Sequence, residues 1–229
     1  MTLEFPDMPD RMKQLKRDHR GYPVPWFVKW YGDKPDFRMI GNDKFRRAIR
    51  QRLCWVCGQA VGRYMAFVIG PMCAINRTTS EPPCHYECAV FAARWCPFLA
   101  NPRMHRQEHK LPDERWVPGI QIARNPGVAC VWITRDFELF DVGGEHAGTL
   151  IEIGDPTQVL WFYEGAPATD AEIWHSIETG LPALLELVRQ DKDPEGAMAE
   201  LRRRTKEVAR LVPPPIDVDQ VLEHAMVQT

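Results

Sequence analysis

Long apolar runs are missing from this chain. The longest, Met65 to Met72, falls well short of the roughly 20 residues that span a bilayer. The first twenty residues, "MTLEFPDMPDRMKQLKRDHR", are too charged for a secretory leader, so the cytoplasm is the expected compartment. No internal repeat and no low-complexity tract is present, which excludes solenoids and arrays. No glycine-rich loop stands where a nucleotide phosphate would need one. Gly143-Gly144 is a lone pair that turn chemistry explains.

Histidine is scarce where a nuclease would need it. An HNH-type site requires a general-base histidine on a hairpin strand between its metal-ligand pairs, and none lies between Cys57 and His85. The zinc deaminase signature, His-x-Glu before Pro-Cys-x-x-Cys, is also unmet, because three residues separate Cys84 from Cys88. His105-Arg-Gln-Glu108-His109 has the spacing of inverted zinc peptidases, but it lies in a short, strongly basic stretch between prolines. His146, His175 and His224 stand alone.

What the chain does have is cysteine, concentrated. Six of its seven cysteines fall between residues 54 and 97. In a reducing compartment such a cluster favours metal over disulfides. Cys54-x-x-Cys57-Gly58 has the form of a zinc knuckle, whose tight turn brings two sulfurs to one ion. The other two ligands must come from elsewhere. Pro82-Pro83 leads into a predicted helix from Cys84 to Trp95, with His85 and Cys88 three residues apart on one face and close to the positive end of the helix. Arg63 to Ile69 suits a hairpin strand. Knuckle, hairpin and ligand-bearing helix together make a treble-clef-like arrangement. The expected structural Zn2+ set is Cys54, Cys57, His85 and Cys88, with Cys84 as rival. Cys96 is expected in the core. Cys73 follows Gly70-Pro71 with Arg77 nearby, which could lower its pKa, but no base accompanies it.

The net charge of −2 conceals an asymmetry. Residues 1–127 carry 21 Lys+Arg against 12 Asp+Glu, whereas residues 128–229 carry 8 against 19. A basic half of this kind suits contact with nucleic acid. Asn42 or Asp43 can cap a helix through Leu53, with Phe45, Ile49 and Leu53 on one face and Lys44, Arg46, Arg47, Arg50 and Arg52 on the other. Trp26, Trp30 or Trp55 could stack on unpaired bases, although core packing is the plainer role for each.

Elsewhere the first twenty residues look loosely ordered, and residues 21–40 read as an edge strand or loop. From Val128 the pattern is β. "VACVWIT" and "FELFDV" across Arg135-Asp136, then "TLIEI" and "QVLWFY" across Gly154-Asp155-Pro156, suggest two hairpins of a four-stranded antiparallel meander. Helices follow: one capped by Thr169 and Glu172 and stopped by Gly180, another from Pro182, and a third opened by Asp193-Pro194. After a break at 213–215, Val218, Val221, Leu222, Ala225 and Met226 form one helical face. That face could dock on a partner, on a second copy, or on the chain itself.

The strings "GYPVPWFV", "CWVCG", "AFVIGPMCAINR", "EPPCHYECA" and "CPFL", in this order, resemble a family of uncharacterised proteins of phages and bacteria. The resemblance spans about residues 20 to 105, with a weaker echo in "ARNPGV" and "VLWFYEGAPAT". It implies a shared shape and no particular activity. It also implies that cysteine is not required where Cys84 stands, which favours His85 as ligand.

The expected fold is therefore α+β: a treble-clef-like zinc module plus a four-stranded antiparallel sheet with C-terminal helices. The divisions are a basic module over 1–127, an acidic sheet with helices over 128–212, and a C-terminal amphipathic helix over 213–229. The expected role is that of a non-enzymatic phage or prophage accessory protein that binds nucleic acid in preference to protein. The alternatives are a metal-dependent hydrolase or nuclease of degenerate HNH type, which would draw on Cys73, His105, Glu108 and His109, and a protein-binding adaptor or inhibitor.

Overall fold

The computed structural model describes residues 3–41, 43–104, 125, 127–144, 147–212 and 218–227. Several sequence expectations lie outside the described residues: His105, Glu108, His109, His146, the cap at Asn42, the break at 213–215 and the side chain of His224.

The chain is α+β with antiparallel sheets, as its patterning predicts. Its strands are β1 (Val28–Tyr31), β2 (Lys34–Ile40), β3 (Met65–Ile69), β4 (Thr78–Thr79), β5 (Ala129–Thr134), β6 (Phe137–Val142), β7 (Gly148–Ile153), β8 (Gln158–Tyr163) and β9 (Ala166–Pro167). Its α-helices are α1 (Lys44–Gln51), α2 (Pro71–Asn76), α3 (Tyr86–Trp95), α4 (Asp170–Arg189), α5 (Pro194–Ala209) and α6 (Val218–Val227).

The strand pairing differs from a meander. β5 and β6 run on from one another and pair antiparallel with β8 and β7: Ala129 faces Phe162 at one end and Val142 faces Gly148 at the other. The two expected hairpins are thus one long hairpin, and its tip is the Gly143-Gly144 loop. Arg135-Asp136 and Gly154-Asp155-Pro156 are bends that face each other across it. Gly154 donates its N–H to the Asp136 carbonyl at 3.2 Å, and a Cβ on Gly154 would lie 2.7 Å from that same oxygen. Only glycine lets the two bends meet. The physical cause is burial. Every residue of β5 is buried, so β5 needs a neighbour on each side and takes β3 and β8. β6 is largely exposed and ends as an edge, in the order β4-β7-β6.

The sheet β3-β5-β8-β9 separates two apolar cores. Along β5, Cys130 and Trp132 point to one, and Ala129, Val131 and Ile133 to the other, following the two-residue period of a strand. The first core gathers α2, α4, α5 and α6; the second gathers α3, the Cys54–Cys57 turn and the N-terminal segment. The boundary expected near residue 127 therefore falls between β3 and β5, which lie side by side.

The residues before β1 are more ordered than their charge suggests. Phe5 packs on Tyr22, Phe91 and Trp95 at ring separations of 5.5, 5.5 and 5.3 Å, and Met12 is buried. Single large apolar residues anchor this segment, which is why periodicity does not reveal it. Residues 28–40 form the β1-β2 hairpin.

Among the helices, the Thr169–Glu172 capping box and the Asp193 cap are present. Gly180 does not stop α4, which runs through to Arg189 with Pro182 inside it. Ile173, Ile177, Leu181, Leu184 and Leu185 make one uninterrupted buried stripe. Gly180 sits where α4 crosses Met72 of α2, whose tip would lie 2.8 Å from a Cβ. α1 ends at Gln51, short of the predicted Leu53, because Arg52 turns left-handed. Asp43 precedes α1 without a side-chain capping bond. The apolar face of α6 is buried: Val218, Val221, Leu222 and Ala225 join the first core, and α6 packs on α4 and α5 of its own chain. Of the docking modes open from sequence, this is self-docking. No described helix is long and apolar enough to cross a membrane.

Candidate metal centre

Cys54 opens a tight turn held by the backbone. Its N–H donates to the Gln59 carbonyl at 2.7 Å, its carbonyl accepts from Gly58 at 2.8 Å, and Leu53 bridges Ala60. Gly58 has φ 77°, the left-handed region that favours glycine. Three further bonds tie the turn and β3 to the residues just before α3. Trp55 donates to the Pro83 carbonyl at 3.0 Å, while Ala66 and Cys84 exchange both backbone bonds at 2.9 and 2.7 Å. α3 itself begins at Tyr86, with His85 as its extended N-cap and Cys88 in its first turn.

This arrangement brings Cys54, Cys57, His85 and Cys88 together. All four are buried, and one ligand atom from each lies within 4.8 Å of all the others. A tetrahedral zinc with sulfur ligands spaces them by roughly 3.8 Å, so a small contraction around an ion suffices. The four could hold a metal ion. Cys84 is equally buried, but it stands outside this group, and its backbone is committed to the bridge with Ala66.

The electrostatics point the same way. The Cys57 and His85 amides donate to the Cys54 sulfur, each at 3.4 Å. Hydrogen bonds from the Cys57, Cys84 and Cys88 thiols hold the Cys54 thiol far below its ordinary pKa. The same contacts, with burial, push Cys88 and Cys84 well up. One thiolate is favoured there and a second is opposed by the first; a cation removes that opposition.

His85 presents Nδ1 to the sulfurs, 3.4 Å from Cys57 and 4.0 Å from Cys88. Its Nε2 lies 2.9 Å from the Ala60 carbonyl and 2.8 Å from Arg11 Nη1. With Nδ1 as ligand, Nε2 carries the proton and donates it to Ala60, the usual second partner of a metal-bound imidazole. Arg11 is then left to its ion pair with Glu87 at 2.8 Å.

Cys73 does not have the lowered pKa expected beside Arg77. Burial, with Glu81 adding, pushes its thiol up to about 11. The Arg77 guanidinium instead lies over Trp132, 4.4 Å from the ring centroid. Cys96 is the C-cap of α3 and is half-buried rather than part of either core, and burial raises its thiol too. His175 is exposed on α4.

Of the predicted basic face, Arg46, Arg47, Arg50 and Arg52 are exposed and Lys44 is half-buried. Among the described residues the only ion pair from these five joins Arg46 to Asp43, at 3.9 Å. Lys44 Nζ lies 3.9 Å and the Arg47 guanidinium carbon 5.5 Å from the Trp26 ring centroid. Burial, with Arg47 adding, lowers the Lys44 pKa. Beside them is a cleft of about 350 Å³ whose lining includes Lys16, Lys29, Lys44, Trp26 and Trp30. Trp55 does not reach it. Trp55 is buried and stacks on Phe27 at 4.6 Å and 6°. The sequence offered no signal for this cleft, because its walls come from Gln14 to Lys16, from stretches between Val24 and Trp30, and from Gly41 and Lys44, whose approach depends on the fold.

No family model, curated protein or solved structure matches this chain.

Proposed function

We propose that this chain is a non-enzymatic nucleic-acid-binding protein whose binding face is ordered by one structural zinc ion in a treble-clef-like module. The observation that carries the zinc reading is the closed, buried set of three cysteines and one histidine. Four protein ligands leave no open position for substrate or activated water, which is the mark of a structural site. Three thiolates with one imidazole suit zinc better than the hard cations. A reducing compartment such as the cytoplasm keeps those thiols available.

Nucleic-acid contact is supported by the exposed arginines of α1, of which only Arg46 has an ion pair among the described residues, and by the lysine-lined cleft beside them. In this reading Lys44 and Arg47 of the helix and Lys16 and Lys29 of the cleft lining contact phosphates, and Trp30 in the same lining stacks on an unpaired base. Zinc site and cleft are connected through Trp26, whose backbone N–H donates to the Val56 carbonyl inside the Cys54–Cys57 turn at 2.7 Å.

Fluorescence anisotropy with labelled single-stranded and duplex oligonucleotides at 20–50 mM salt tests this reading. Affinity should fall linearly on a log–log plot against salt, with a slope near −0.7 for each phosphate neutralised on a single strand. Binding to neither oligonucleotide at low salt rejects the reading.

A further inference from the structure

Arg77 ends α2 in the left-handed conformation, with φ 59°. Its carbonyl accepts the Ile153 N–H at 2.8 Å, so the backbone is pinned against β7. The side chain, only 9% exposed, runs beneath Trp132, with the guanidinium carbon 4.4 Å from the ring centroid. Its Nε is buried and makes no hydrogen bond among the described residues. Its terminal nitrogens reach the Gly154 carbonyl at 3.5 Å, Asp155 at 3.4 Å and Glu207 at 3.4 Å. These contacts are all at the outer limit for a hydrogen bond. A buried guanidinium normally has its donors filled, and this one is held loosely in a strained backbone position.

Arg77 lines a polar cavity of about 680 Å³ between the bends of the long hairpin and α5. That volume falls within the range of small-ligand sites. Two other arginines of the lining are fully engaged. Arg203 pairs with Glu200 and Glu207; Arg204 holds Glu200, Glu152 and the Asn76 carbonyl. The fourth, Arg135, is exposed and meets only Tyr64 among the described residues, so Arg77 is the buried arginine of the lining whose fork has capacity left.

We propose that this cavity binds one small oxyanion, a carboxylate or a phosphate group, on the fork of Arg77. Both chemistries match the planar pair of donors. Asp155, whose side chain is 98% exposed, is the partner the anion displaces. Asp136, Glu138 and Glu152 on the same lining repel a polyanion, so this site is separate from the nucleic-acid face and takes a single charged group.

Titration calorimetry and thermal shift on the full-length, metal-loaded protein test this, with sodium phosphate and sodium acetate each measured against sodium chloride at matched ionic strength. Saturable binding of either anion is expected, and the stronger one identifies the group recognised. Arg77→Gln should weaken it at least tenfold. Asp155→Asn, at an exposed position that leaves the fold undisturbed, should strengthen it severalfold. If Arg77→Gln does not fold, Asp155→Asn carries the test alone. No saturable binding in wild type or in Asp155→Asn, or equal affinity in wild type and the variants, overturns the proposal.

Discussion

Trp26 closes over Gly58: a methyl group on that glycine would sit 2.6 Å from the indole. The same ring also meets Lys44, at 3.9 Å, and Arg47, at 5.5 Å. One tryptophan therefore links the turn that carries two candidate metal ligands to the helix that carries the basic face. Gly58→Ala introduces both this clash and a strained φ of 77°. It should destabilise the protein by about 1–3 kcal/mol in urea unfolding, and weaken oligonucleotide binding without changing the metal content.

Cys88→Ser and Cys84→Ser separate ligand from neighbour. Cys88 contributes one of four ligand atoms, so its variant should lose the stoichiometric metal. Cys84→Ser should keep one equivalent, because its sulfur lies outside the group. Equal metal loss in both variants contradicts the assignment.

The exposed arginines and the buried tryptophan predict opposite phenotypes. Arg46→Glu and Arg50→Glu, on the outer face of α1, should change stability by no more than about 0.5 kcal/mol while reducing oligonucleotide affinity and flattening its salt dependence. Trp55→Ala, in the core against Phe27, should cost about 3–5 kcal/mol in denaturant.

Asp18 gives a pH signature. Burial alone would raise its pKa, but hydrogen bonds from the Arg20 side chain and the Tyr22 and Arg20 amides outweigh it, and the carboxyl is held below its ordinary value. A carboxylate depressed in the folded state contributes stability that is complete above the unfolded pKa of about 4. That contribution is lost as pH falls through the folded value. Asp18→Asn should cost about 1–3 kcal/mol at pH 7, and the difference from wild type should shrink below about pH 4. A difference constant from pH 7 to pH 3 contradicts this account.

The parts legible in the sequence are those set by short-range chemistry. Cys54, Cys57, His85 and Cys88 announce themselves by spacing, Thr169 and Glu172 by a capping pattern, and α6 by its helical face. What could not be read depends on distant neighbours. The Gly154 bend looks like a turn until Asp136 is seen across from it. β5 resembles a hairpin arm until its burial on both faces demands β3. Gly180 and Pro182 read as a helix stop because the stripe that carries α4 past them matters only once α2 is packed against it. Arg77 gave no sign of its buried environment, since both Trp132 and Glu207 are remote in the chain.

Elemental analysis of the purified, tag-free protein, paired with a melting curve before and after chelation, tests the central claim most directly. The account predicts one zinc per chain, and a melting temperature that drops markedly once the chelator removes it. A metal-free protein, or an unchanged melt after stripping, contradicts it.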